Sequence, residues 1–89
     1  MTTLVRNFGV AVRQLREAKG WSQEQLGEYS DLNRSYVGEI ERGRAIASLV
    51  TVEKLAIALG VKPSELVTRG EVIRQANLMR GVQLAAIAC

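Results

Sequence analysis

Between Ser22 and Arg44 the chain gathers polar side chains of a restricted set of types: Gln23, Asn33, Arg34, Ser35, Tyr36, Glu39, Arg42 and Arg44. Amides, hydroxyls and guanidinium groups recognise and orient acceptors; they are not a bond-breaking set. A guanidinium presents a fork of donors that fits the paired acceptors on the major-groove edge of guanine, or a phosphate. There is no histidine, and the single cysteine is the terminal Cys89. Ser-His and Cys-His nucleophile pairs and Cys/His metal sites are therefore excluded by composition. Glu24, Glu28 and Glu53 have no partner that points to general acid–base work. The chain is accordingly read as no enzyme, with no cofactor and no metal.

To act together, these side chains must share a face, and the surrounding sequence specifies the elements that would place them there. Leu4, Phe8, Ala11, Val12, Leu15 and Ala18 recur at helical spacing, and Gly20 follows as a left-handed cap. Ser22 and Gln25 have the spacing of a capping box, with Trp21 and Leu26 at the two positions of a hydrophobic staple. These signals predict a second helix from about Ser22 to Tyr29. Ser30, Asp31, Leu32 and Asn33 form a short turn into a third helix, capped by Asn33, that carries Val37 and Ile40 inward and stops at Gly43. Two short helices joined by a tight turn is the helix-turn-helix layout.

Arg44 to Ala47 is a loop. A fourth helix begins near Ser48 or Thr51, buries Val52, Leu55, Ala56 and Leu59, and ends at Gly60. Pro63 suits the first turn of a fifth. Beyond Gly70 the apolar positions Val72, Ile73, Ala76, Met79, Val82 and Leu84 predict a partly helical tail. The expected fold is all-α: a compact five-helix domain over residues 1–70, with a C-terminal helical tail over 71–89.

The motifs Arg13-x-x-Arg16, Gly20-Trp-Ser-Gln-Glu, Ile40-Glu-Arg-Gly43 and Leu55-Ala-Ile-Ala-Leu-Gly-Val61 resemble the lambda repressor and Cro family, also called XRE. The likeness runs from about Phe8 to Leu66. Within it, Asn33 to Arg44 is most similar to restriction–modification controller proteins. The resemblance implies a phosphate contact for Gln23, base contacts for Asn33, Arg34, Ser35 and Glu39, and phosphate contacts for Arg42 and Arg44. It places Tyr36 on the rim and makes Arg16 and Glu41 a structural ion pair. Asp31 stands where this motif usually has glycine, and Gly27 where alanine is common.

Two residues keep a second reading open. Glu39 is equally explained by an i,i+3 pair with Arg42, and Tyr36 divides evenly between DNA backbone contact and packing. Gly38 suits a tight approach of another helix or of DNA.

The 89 residues suffice for one domain with a modest core, and a formal charge of +3 decides nothing by itself. The N-terminus lacks a signal-peptide layout and no apolar run reaches membrane-spanning length. A cytoplasmic location is the resulting expectation. The expected function is sequence-specific DNA binding as a homodimeric, autoregulatory transcription regulator on a near-palindromic operator, with RNA polymerase as a further contact. Leu66, Val67, Ile73 and Leu78 are the candidate dimerisation residues. An antitoxin with a toxin partner, and a protein-interaction module without DNA binding, are the alternatives.

Overall fold

The computed structural model describes residues 2–88, and side chains for residues 2–76. Five helices follow in order: α1 (Thr3–Ala18), α2 (Gln23–Ser30), α3 (Arg34–Glu41), α4 (Leu49–Leu59) and α5 (Pro63–Ala88). No strand occurs among the described residues. The expected all-α architecture is the one observed.

Each helix start that the sequence marks is closed by its own side chain. The Ser22 hydroxyl accepts from the Gln25 amide, and Gln25 Oε1 accepts from the Ser22 amide, completing the capping box. Asn33 caps α3 and Ser48 caps α4. The first four helices also end alike. After each, a left-handed residue and its successor donate to carbonyls three and five positions back, as in Leu32 N–H to Gly27 O at 2.8 Å and Arg44 N–H to Glu39 O at 2.8 Å. The left-handed residue is Gly20, Gly43 and Gly60 at three of these ends and Asp31 at the other, with φ 57° and ψ 45°.

Leu26, Val37, Ile40, Leu55 and Leu66 form the centre of the core together with Val12, all essentially inaccessible. Burying each such side chain contributes roughly 1.5–3 kcal/mol. Two glycines let backbones meet around this core. A Cβ on Gly9 of α1 would overlap the Ile40 carbonyl oxygen at the end of α3, and a Cβ on Gly70 would come within 3.0 Å of Phe8 Cα. Gly70 is thus a contact point inside α5, and the helix passes through it unbroken into residues 71–88.

Leu66 corrects an expectation. It is fully buried in this core and offers no surface to a second subunit, whereas Val67, one residue on, is turned outward. Ile73 is half-buried, and the side chain of Leu78 lies outside the described residues.

Candidate nucleic-acid interface

The N-termini of α2 and α3 open onto a shared cleft of about 630 Å³, lined by Gln23, Glu24, Arg34, Ser35, Glu39 and Arg42, with Arg16 and Gly38 also on its wall. Six of the eight residues expected to meet DNA either line it or flank it closely: Gln23, Arg34, Ser35, Glu39 and Arg42 line it, and Asn33 caps the helix that forms one side.

One buried carboxylate ties three helices together beneath this face. Glu41, at the end of α3 with its side chain 2% exposed, accepts from Arg16 Nε at 2.7 Å and Arg16 Nη2 at 3.0 Å. It also accepts from Gln23 Nε2 at 3.1 Å. Arg16 in turn donates Nη1 to the Trp21 carbonyl at 2.7 Å, which fixes the start of α2 relative to α1. The hydrogen bond to Glu41 raises the Arg16 pKa despite partial burial, so this guanidinium stays charged. The expected Arg16–Glu41 pair is therefore present, and its additional link to Gln23 was not expected.

Gln23 is held in one orientation by that link. One N–H of its amide goes to Glu41, and an amide nitrogen carries two, so it can donate one more hydrogen bond. Its Oε1 lies close against Gly38, where an added Cβ would stand 3.3 Å from it and 3.1 Å from the Arg42 guanidinium. Gly38 thereby makes room for two polar side chains on the cleft wall.

At the start of α3, Asn33 Oδ1 accepts from the Ser35 amide at 2.7 Å, which fixes the orientation of the side-chain amide. Arg34 and Ser35 are exposed. Arg34 Nη1 donates to Glu24 Oε2 at 3.2 Å across the cleft, and Arg42 Nη2 donates to Glu39 Oε1 at 3.1 Å. The i,i+3 pairing open for Glu39 is thus formed. Tyr36 is half-buried, packs against the core, and puts its hydroxyl 3.3 Å from both the Ile46 carbonyl and Thr51 Oγ1. Its packing role is the one seen. Arg44 stays exposed, with its backbone fixed by the bond to Glu39 O.

The arrangement is one of recognition, and comparison with known proteins agrees. A helix-turn-helix family model matches residues 12–66. This chain belongs to that family. Helix-turn-helix relatives include the control protein C.BamHI of Bacillus amyloliquefaciens, 48% identical over 60 residues, which cover 66% of this chain and 74% of C.BamHI. The immunity repressor of Bacillus phage phi105 is 37% identical over 75% of this chain; the match takes in 46% of that protein. Among solved structures, the restriction–modification controller protein C.AhdI of Aeromonas hydrophila is 56% identical over 71% of this chain and 94% of its own, with a TM-score of 0.67. The helix-turn-helix family is one of DNA-binding transcription regulators, and the resemblance to controller proteins holds. No helix among the described residues is long and apolar enough to cross a membrane.

Glu24 is the cleft residue that sequence patterns miss. It reads as an ordinary acidic residue in the first turn of α2, where it suits the helix dipole. Its reach across to Arg34 depends on how the turn at Asp31 folds α3 against α2.

Proposed function

We propose that this chain is a homodimeric, sequence-specific transcription regulator of the cytoplasm that binds a near-palindromic operator and controls its own gene as a restriction–modification controller. The observation that carries the reading is the single cleft onto which the Gln23 amide and the exposed start of α3 both open. A helix-turn-helix puts the start of its second helix into the major groove, while the first crosses the backbone. Gln23 then meets phosphate, Arg34 and Ser35 meet base edges, and Arg42 and Arg44 meet phosphates beside the groove.

Two copies follow from the small number of bases that one recognition helix can reach. An apolar groove of about 200 Å³ supports this, bordered by Leu4, Ile46, Leu49 and Val67, with Leu49 87% exposed. Here Val67 remains an interface residue, joined by Ile46 and Leu49 in place of Leu66.

The test is a titration of the protein against duplex DNA from immediately upstream of its own gene, with a scrambled duplex as control and salt varied. Tight binding to the upstream duplex alone, falling steeply with salt and saturating at two protomers, is expected. Equal binding to both duplexes counts against autoregulation. No binding at low salt counts against DNA recognition altogether.

A further inference from the structure

Arg13, Arg16, Arg34, Arg42 and Lys54 each stand beside a carboxylate, and Lys19 lies over the Trp21 ring. Arg6 of α1 and Arg44 of the loop after α3 have no such partner among the described residues, and both are exposed. What brings these two together is Gly43. It has a left-handed φ of 72° and is buried under the stem of Arg6: a Cβ there would stand 2.5 Å from Arg6 Cγ and 3.2 Å from Arg6 Cβ. Gly9, one turn on from Arg6 and on the same side of α1, permits this approach. It lets the helix backbone lie against the Ile40 and Glu41 carbonyl oxygens. Two glycines thus bring the first half of α1 onto the end of α3, and the stem of Arg6 rests on the residue between Arg42 and Arg44.

Packing holds the stem and leaves the charge at its tip in water. Arg42 is turned into the cleft, bonded to Glu39 and close to Gly38. Arg6 and Arg44 instead carry like charges on touching segments, neither balanced by a carboxylate. A recognition helix that puts its start on base edges brings its other end out beside the sugar–phosphate backbone. That end of α3 is where Arg6 stands. A phosphate there meets two guanidinium groups, one from the loop and one from a helix outside the helix-turn-helix.

We infer that Arg6 is a further phosphate-contacting residue: with Arg44 it grips the DNA backbone at the end of α3, extending the DNA-contacting surface onto α1. This rests on the DNA-binding reading given above. The family model matches residues 12–66, so residue 6 lies outside the likeness that assigns the other contacts. A contact of this kind adds affinity and carries no sequence information.

The experiment uses the full chain. Wild-type protein selects its preferred duplex from a random pool, and affinities for that duplex and its single-base variants are measured by fluorescence anisotropy over a range of salt. Losing one phosphate contact lowers the slope of log affinity against log salt by about 0.9. Over a rise in salt of about fourfold, Arg6→Gln is therefore expected to lose roughly 3.5-fold less affinity than wild type. At low salt it should bind every duplex more weakly than wild type, by a similar factor. Arg6→Lys keeps the charge and should keep the wild-type slope. Arg69→Gln, at an exposed arginine of α5 beside Gln14 and Thr68, removes a positive charge elsewhere and should leave the slope unchanged.

A wild-type slope in Arg6→Gln overturns the inference, as does a slope lowered equally by Arg69→Gln or by Arg6→Lys. A purely structural role for the stem would show as a lowered melting temperature with the slope intact, and would overturn it too. If the wild type itself binds no duplex, the DNA-binding reading fails and this role for Arg6 goes with it. Wild-type binding that Arg6→Gln leaves unaltered strikes Arg6 alone.

Discussion

Replacing Glu41 with alanine strikes the joint beneath the recognition face. Its carboxylate takes three hydrogen bonds, two from Arg16 and one from Gln23. Glu41→Ala leaves a guanidinium whose side chain is 12% exposed with the Trp21 carbonyl at 2.7 Å and a distant Glu17 oxygen at 3.9 Å. Removing one member of a buried pair costs about 3–5 kcal/mol. The retained Trp21 bond places the expected loss near the lower end, about 3 kcal/mol. For a domain of this size that lowers the melting temperature by roughly 12–24 °C, which circular dichroism reads directly. The double variant Arg16→Met/Glu41→Leu separates stability from recognition. With no charge left buried, much of the lost stability should return. Gln23 still lacks its acceptor, so affinity for DNA should stay below wild type in fully folded protein. A loss under about 1 kcal/mol, the size of an exposed pair, would refute the buried-joint reasoning. So would a double variant restored in both stability and DNA affinity.

Further outcomes follow from the same geometry. Gly9→Ala forces a Cβ against the Ile40 and Glu41 carbonyl oxygens, which are backbone and cannot step aside; a loss of about 1–3 kcal/mol is expected by chemical denaturation. Asp31→Gly should stabilise by roughly 0.5–1 kcal/mol, since the left-handed conformation there is strained for a residue with a Cβ; a destabilised variant would show that the exposed Lys54 contact at 3.6 Å matters more. Leu49→Glu, at a residue almost fully exposed in one protomer, should leave the melting curve of the monomeric fold intact but shift sedimentation from two protomers to one. Unchanged sedimentation would place the dimer contact elsewhere.

Much of this fold is legible because its helix ends are written in local chemistry. Ser22 with Gln25, Asn33, Ser48 and the three left-handed glycines act within a few residues of themselves, so sequence spacing is enough to find them. Asp31 is different: it stands out only against the family motif, as the residue in the place of a glycine, and its left-handed φ of 57° explains why glycine is usual there. The less legible features depend on distant partners. Gly9 carries no signal in the sequence, because what it makes room for, the Ile40 carbonyl, lies far along the chain. Gly70 looks like a boundary, yet it is buried where α5 crosses Phe8. Leu66 and Val67 are both apolar neighbours, and only the rotation of α5 about its axis decides that the first is core and the second surface.

The recognition face divides in the same way. Arg34, Ser35 and Arg42 could be placed together from helix starts and spacing, and the family resemblance added Gln23. What each side chain does in the free protein could not be read from spacing. Gln23 bonds Glu41, Arg34 bonds Glu24 across the cleft, and the Tyr36 hydroxyl turns toward Ile46 and Thr51. These partners come from three different helices and the loop before α4, and they meet only after the turn and the core have set the helices in place.

The claim that α2 grips the backbone while α3 reads bases is tested most directly by fluorescence anisotropy with Gln23→Ala and Arg34→Ala. Each is titrated against the duplex that wild-type protein selects and against every single-base variant of it. The expected result is that Gln23→Ala weakens all duplexes by a similar factor. Arg34→Ala should instead flatten discrimination at one or two positions, where the wild type separates bases by about 1–3 kcal/mol. If both variants kept the wild-type affinities, or Arg34→Ala weakened every duplex alike with its base preferences intact, the assignment of this face would be contradicted.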